Sequence, residues 1–371
     1  MEKVRTAVIG CGKVGRMHAQ AYKDLPMSDF AAVCDSDLGR AEAFAREFGV
    51  KAYADIAEMA KNSGVRAVSI CTPHPIHAAA AVAALSAGMN VLVEKPLASS
   101  LEDCDAMLDA ARENHVTLGV VSQRRFYPAV RRVKDAIDSG KIGRPVLGTV
   151  AMYGWRDKAY YDSDPWRGTW KGEGGGVLVN QAPHQLDILQ WFMGPVDELY
   201  GVQTNLNHPY IEVEDTAIAV VKFKNGGVGN ILVSNSQDPA LFGKVHVHGE
   251  NGASVGVQTD GGAMFIAGMT SITEPPVNDL WTVKGEEELL GRWVAEDTAF
   301  FNGTDAMQYF HERQDEDFLR AVLEGRKPLI DGEEGRKTVE LFTAIYRATR
   351  DNAPVKFPLA PEHRDDFDGR L

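Results

Sequence analysis

At 371 residues the chain exceeds one ordinary hydrophobic core and suits two domains. Its 44% hydrophobic and 25% charged content is that of a soluble globular protein. A formal net charge of −13 and a pI near 5.3 oppose binding to nucleic acid or to an anionic membrane surface. No basic and apolar leader precedes the first apolar run and no run reaches membrane-spanning length, so the expected location is the cytoplasm. Cys11, Cys34, Cys71 and Cys104 lie in the first third without metal-ligand spacing; reduced thiols, mostly in the core, are expected, and no metal.

In chain order, short apolar runs alternate with amphipathic ones. Strands are expected at Val4 to Ile9, Phe30 to Cys34, near Val50 to Tyr53, and at Ala67 to Cys71, Asn90 to Val93 and Thr117 to Val121. Helices are expected at Val14 to Lys23, Asp37 to Phe48, Asp55 to Lys61, Ile76 to Ala87 and Leu101 to Asn114. Continuous apolar strands imply a parallel sheet covered on both faces. After Gln123 the character changes. A helix from Phe126 to Ser139 leads into segments with the length and turn punctuation of an antiparallel sheet: Asp215 to Phe223, Val228 to Ser234, Gly243 to Gly249 and Ala253 to Gln258. Helices at Ala306 to Leu323 and Gly335 to Arg350 follow, and a charged, aperiodic tail from Ala360 to Leu371 is open to fraying or to packing on a neighbouring subunit. The expected boundaries are residues 1–123 for an α/β doubly wound domain and 124–371 for a second α/β domain with an open, mostly antiparallel sheet.

The first turn of that pattern carries V-I-G-C-G-K-V-G, which is a dinucleotide-binding fingerprint in its proper context of strand, glycines and helix. Gly10 lets the strand turn, Gly12 lets the backbone approach a pyrophosphate, and Gly15 lets the helix pack on the sheet. Lys13 and Val14 open that helix, whose N-terminus faces the phosphates. Asp35 ends the second strand, twenty residues beyond Gly15; its carboxylate suits both ribose hydroxyls and repels a 2′-phosphate, so NAD is favoured. Arg40 keeps NADP open.

Two more strand ends carry chemistry. C-T-P-H-P-I-H, Cys71 to His77, supplies Thr72 and Pro73 for a turn under the ribose and nicotinamide, with His77 as packing or cofactor contact. V-L-V-E-K-P-L places Glu94 and Lys95 at the end of a central strand, and Pro96 locks a single ammonium into the cleft. Farther on, three glycines at 174–176 permit close approach to a ligand or another segment, and Asn180, His184 and Asp187 recur at helical spacing, as if on one face. A secondary alcohol gives up hydride to nicotinamide only as its hydroxyl proton leaves, which calls for a base of near-neutral pKa. His184 fits, with Lys95 holding it neutral and donating to the developing alkoxide.

Together the glycine fingerprint, C-T-P-x-x-x-H, E-K-P, Q-R-R-F at Gln123 to Phe126, G-G-G-x-L…H-x-x-D, V-H-G-E-N-G-A and V-E-L-F-T-A-I-Y resemble the Gfo/Idh/MocA oxidoreductases over nearly the whole chain. The resemblance implies reversible NAD(P)-linked oxidation of a ring hydroxyl on a sugar, sugar derivative or cyclitol, without metal. It also implies dimers or tetramers formed through the C-terminal sheet. It assigns Lys95 to substrate and nicotinamide, His184 to acid/base work and Gln123 to the cofactor's surroundings. Asn180 departs from the aspartate that inositol dehydrogenase-like members often carry, and Ala182 from the usual glycine. His184 then works with Lys95 alone, or with Asp187 orienting it.

For substrate, Tyr153, Trp155, Tyr160, Tyr161, Trp166 and Trp170 offer faces to sugar C–H groups, one or two of them making contact. Arg156 and Arg167 are placed to hydrogen-bond hydroxyls, and Asn180 is a further contact. Arg124, Arg125, Arg131 and Arg132 are expected on an amphipathic helix, solvated or paired with Asp135 and Asp138, with Arg124 retained as a substrate contact. An uncharged sugar or glycoside is preferred, with carbon 3 of a glucose-like ring as the target considered. The alternatives are a glycoside-processing enzyme with tightly bound, internally recycled NAD, and a catalytically silent ligand-binding member of the fold.

Overall fold

The computed structural model describes residues 2–261, 274–362 and 367–370. The chain folds as two units, residues 1–123 with 306–339, and residues 124–305 with 340–371. The first unit's opening stretch ends at Gln123. Residues 306–339, expected in the second domain, return to the first unit.

In the first unit the strands are β1 (Val4–Ile9), β2 (Ser28–Cys34), β3 (Lys51–Tyr53), β4 (Ala67–Ile70), β5 (Asn90–Val93) and β6 (Leu118–Val120). They alternate with α1 (Lys13–Asp24), α2 (Leu38–Phe48), α3 (Ile56–Ser63), α4 (His77–Ser86) and α5 (Leu101–Glu113). All pairings are parallel and the sheet order is β3-β2-β1-β4-β5-β6. That is the doubly wound order whose topological switch lies between the first and fourth strands, where such sheets bind ligands beyond the strands' carboxyl ends. Val4, Val8, Tyr22, Val33, Phe44 and Leu92 belong to its buried core.

The second unit opens with α6 (Pro128–Asp138), β7 (Pro145–Tyr153), α7 (Lys158–Asp162), α8 (Trp170–Glu173), α9 (Val177–Asn180) and α10 (Pro183–Met193). There follow β8 (Val196–Thr204), β9 (Thr216–Phe223), β10 (Val228–Ser234), β11 (Phe242–Gly249), β12 (Ser254–Gly261), β13 (Val277–Trp281) and α11 (Leu289–Asn302). Helix α12 (Ala306–Glu324) belongs to the first unit, α13 (Gly332–Asp351) crosses from first to second, and β14 (Val355–Lys356) closes the sheet. The eight strands run β13-β12-β11-β7-β10-β9-β8-β14, antiparallel except for β7 with β10.

Burial alternates along β9, where Ala217, Ala219, Val221 and Phe223 are buried and Ile218, Val220 and Lys222 are exposed. One face carries α10, which is buried nearly all round. A Cβ at Gly148 of β7 would strike Met193 and Leu189, so that glycine sets how closely the helix seats. On the other face, Val202, Ile218, Val220, Val228 and Leu147 are exposed in cross-strand register.

The tail is only partly described; residues 363–366 and 371 lie outside the described residues. Where described it packs on the second unit. Arg370 is buried, donates to Thr343 Oγ1 and to the Gly174 carbonyl, and lies over the Phe342 ring.

Candidate active site

The glycine turn does what its spacing demands. Gly10 has φ +100°, and a Cβ there would lie 2.7 Å from the Cys71 carbonyl group, because β1 and β4 end side by side at the switch point. A Cβ at Gly15 would lie 2.1 Å from Gly10 O, so only glycine lets α1 seat on the turn. Gly12 differs: nothing lies within 4 Å of its virtual Cβ, and no side chain caps α1 there. An open backbone at an uncapped helix N-terminus is a phosphate seat.

Asp35, at the end of β2, is buried, and its carboxylate accepts from Cys11 N (2.9 Å) and Asp37 N (2.9 Å). It is thereby fixed at the lip of the glycine turn. Arg40 lies 3.5 Å from it and 3.6 Å from Asp37. Lys13 and Val14 start α1 as expected. Among the described residues two polar atoms that the sequence assigns to the cofactor's surroundings, Thr72 Oγ1 and Gln123 Oε1, are buried without a hydrogen-bond partner. Buried polar atoms are ordinarily satisfied. These two fit the ribose and amide groups of NAD.

Burial pushes the Cys11 and Cys34 thiols up to about 12, the acidic Asp35 adding to both, which keeps them inert. All four cysteines are free.

Lys95 follows β5 at the sheet's carboxyl edge, and both of its neighbours are held. On one side Glu94 Oε2 accepts the Lys95 N–H (3.1 Å), while Oε1 faces His18 Nε2 (3.1 Å) and His311 Nε2 (3.5 Å). His18 Nδ1 lies 2.9 and 3.1 Å from the two Asp315 oxygens, and His311 Nδ1 donates to Met307 O (2.8 Å). Burial alone would lower the His18 pKa, but Asp315 raises it well above the ordinary value. Burial would raise that of Glu94, but His18 and His311 hold it well below the usual carboxylate range. On the other side His77 Nδ1 faces Pro96 O (2.9 Å) and its Nε2 faces Thr72 O (2.8 Å). Burial lowers the pKa of this imidazole, against the pull of the two carbonyls. Glu94 and His77, expected at the cofactor, instead face these interior groups and brace the turns on which Thr72 and Lys95 stand.

In the second unit the expected single helix is broken. Asn180 ends α9, and His184 is the second residue of α10, after Pro183, so Asn180, His184 and Asp187 do not share one helical face. The proline starts a new helix where the spacing suggested continuity. His184 is buried. Asp187, expected as its orienting partner, is gripped by Arg125: Nε to Oδ2 2.8 Å and Nη2 to Oδ1 2.6 Å. Asn180 Nδ2 donates to Glu173 Oε1 and to the Tyr160 hydroxyl (3.0 Å), which also accepts from Gln181 Nε2 (3.1 Å) and Arg167.

The glycine run serves another chain segment. A Cβ at Gly176 would lie 1.8 Å from Glu214 O, and one at Gly175 would lie 2.4 Å from the Tyr346 hydroxyl. Glu214 in turn accepts from Gly176 N (2.9 Å) and Leu178 N (3.0 Å), capping α9 where glycine offers no side chain.

The arginines also depart from expectation. Arg125 is almost wholly buried, and Arg132 pairs with Asp297 and Asn278, residues far along the chain. Arg131 lies over the Phe126 and Trp191 rings, Arg124 reaches Thr259, and Asp138 takes Lys134 instead. Arg131 and Arg132 of α6 thus lie against protein, while Asp135 and Asp138 face solvent.

Of the aromatic candidates, Tyr153 packs on Phe242, and Trp155 packs on His208. Trp166 and Tyr160 sandwich the Arg167 guanidinium, while Trp170 meets Tyr346. Arg156 is buried over Tyr160. His208 was not foreseen: its Nε2 donates to Arg156 O (2.7 Å) and its Nδ1 pairs with Asp215 (2.7 Å), pinning the Trp155–Arg156 segment. A lone histidine in N-H-P-Y carries no local sign of that.

Residues 4–122 match the model of an oxidoreductase family with an NAD-binding Rossmann fold, and residues 130–255 match the GFO/IDH/MocA C-terminal domain. The chain belongs to the Gfo/Idh/MocA family and is an NAD-binding oxidoreductase. It is 26% identical over 363 residues to scyllo-inositol 2-dehydrogenase (NAD(+)) of Bacillus subtilis, covering 95% of this chain and 96% of that one. It is 27% identical over 361 residues to myo-inositol 2-dehydrogenase of Thermotoga maritima, covering 95% and 98%. Among solved structures it is similar to the WlbA dehydrogenase of Bordetella pertussis in complex with NADH and UDP-GlcNAcA, with a TM-score of 0.84, 28% identity, and coverage of 97% and 99%. Among the described residues no helix is long and apolar enough to cross a membrane.

Proposed function

We propose that this protein oxidises a secondary ring hydroxyl of a sugar, sugar derivative or cyclitol, reversibly and with NAD. NAD, when bound, supplies the acceptor for the hydride. His184 accepts the hydroxyl proton, and Lys95 donates a hydrogen bond to the oxygen as charge develops on it. Glycine turn and Asp35 hold the dinucleotide, while Thr72 and Gln123 meet it near the nicotinamide end. The observation that carries the reading is the place of Lys95: it follows β5 at the carboxyl edge of an NAD-binding sheet, the edge at which such sheets bind ligands. The likeness along nearly the full chain to two inositol dehydrogenases supports the substrate class.

A neutral ring remains the preferred substrate, with Trp155, Trp166, Arg156, Arg167 and Asn180 around it. We infer also that a second copy covers the exposed apolar face of the β7–β10 sheet, and that the enzyme works in the reducing cytoplasm. The test is NAD and NADP reduction across inositols, monosaccharides, glycosides and nucleotide sugars. NADH formation with a neutral polyol supports the reading. Turnover of a glycoside by protein as purified, with no cofactor added, would replace it with internally recycled NAD, and inertness towards the whole panel would favour a silent binding protein.

A further inference from the structure

We propose that His18 and His311 are positioning residues for Lys95, acting through Glu94. The inference rests on the assignment of Lys95 to the reaction. Three of the ten histidines in the chain are spent on the two residues flanking this lysine: His18 and His311 on Glu94, His77 on Pro96. All three are buried, and so is Glu94. A turn that needed only to reverse direction would not require such an interior; hydrogen bonds within the turn would serve.

The hydrogen-bond geometry fixes what the cluster does. Met307 O can only accept, so His311 Nδ1 carries a proton, and its Nε2 is the nitrogen turned to the Glu94 carboxylate, 3.5 Å away. His18 lies between two carboxyl groups, and Asp315 holds its pKa well above the ordinary value, so it donates to both. Two imidazoles and two carboxyl groups, those of Glu94 and Asp315, thus form one buried set around the residue that precedes Lys95. The Cys71 thiol and the Tyr22 phenol also lie close to His18, and burial keeps both protonated. Within this set Glu94 stays ionised, and its second oxygen stays on the Lys95 N–H. Without the imidazoles a buried carboxylate has to take up a proton or turn away, and the Lys95 backbone loses its anchor. A displacement of about 1 Å in a reacting group costs about a hundredfold in rate.

The test uses the NAD-loaded full-length protein. Nitrogen-15 NMR of labelled histidine should find one doubly protonated, exchange-protected imidazole at neutral pH that disappears in His18→Gln, and in His311→Gln the pKa of Glu94 should rise. In turnover of the substrate that the panel yields, either variant should lower kcat about tenfold to a hundredfold with NAD affinity unchanged, and its acid limb should move to higher pH as Glu94 becomes easier to protonate. In a Lys95→Ala background the same substitutions should cost nothing further. An equal fold-loss with and without Lys95 would reduce the cluster to a structural role and overturn the proposal. So would one equivalent of a divalent metal in the purified protein, since the three facing atoms of His18, Glu94 and His311 lie within 4.8 Å of one another and a cation would then hold Glu94 in their place. If His18→Gln does not fold, His311→Gln decides alone, because its other nitrogen bonds only its own helix. A Lys95→Ala variant with full activity would instead sink the assignment of Lys95.

Discussion

Arg125 and Asp187 form a two-pronged ion pair that is almost wholly out of solvent, with the guanidinium also lying 4.8 Å from the centre of the Trp191 ring. It ties the start of α6 to the middle of α10, one turn beyond His184. Removing one partner of such a pair strands the other charge and costs about 3–5 kcal/mol. Asp187→Ala should therefore lower Tm markedly, and Arg125→Met comparably. If Asp187 acts instead chiefly by orienting His184, Asp187→Asn would keep its Tm and lose kcat; calorimetry beside kinetics separates the two.

Glu173 gives a pH dependence with a definite sign. Burial raises its pKa from 4.5 to about 7, against hydrogen bonds from Gly168 and Asn180 and the charge of Arg167. Below 4.5 the carboxyl is protonated whether the chain is folded or not. Between 4.5 and 7 the unfolded chain releases the proton and the folded one keeps it, so each step up in pH favours unfolding. The stability lost by pH 8 is on the order of 3 kcal/mol. Melting curves of wild type and Glu173→Gln from pH 5 to 8 should show a steeper fall for wild type; parallel curves would remove Glu173 as the cause.

Asp35 should decide between the two nicotinamide cofactors. Its carboxylate is fixed by two backbone amides at the glycine turn, with Arg40 alongside. Asp35→Ser should weaken NADH binding at least about tenfold, the worth of about one charge-assisted hydrogen bond, and raise the relative affinity for NADPH as Arg40 gains the 2′-phosphate. Fluorescence titration with both cofactors measures this directly, and unchanged discrimination would contradict it.

The exposed face of the second sheet should be where copies meet. Val220 is 59% exposed and Ile218 45%, neighbours on β9 with Val202 and Val228 beside them. Exposed apolar side chains gathered on one sheet face mark an interaction surface. Val220→Glu should reduce the mass seen by light scattering by at least one half while leaving NADH binding intact. An unchanged mass would place the interface elsewhere.

The first unit was legible because its signals are local. The close approaches at Gly10 and Gly15 are announced by spacing alone, and β1 and β5 fall on the apolar runs. What was missed depends on distant residues. The partners of Arg125 and Arg132 are Asp187 and Asp297, 62 and 165 residues on, and no pattern near α6 points to them. Glu94 was read as facing the cofactor because the strand end was visible; His311 and Asp315, which turn it inward, come from a helix assigned to the other domain. Pro183 was the one local sign that Asn180 and His184 stand on separate helices. Strand β8 escaped because its burial, with polar Asp197, Glu198 and Gln203, is set by β9 and β14 rather than by its own alternation.

The central claim is that an ammonium and an imidazole act on a single carbinol. A crystal structure with NADH and the substrate drawn from the panel tests it most directly. The account predicts Lys95 Nζ and His184 Nε2 both within about 3.2 Å of one ring hydroxyl oxygen, on the carbon that faces the nicotinamide. Nitrogens that reach different hydroxyls, or a hydroxyl served by neither, would contradict it.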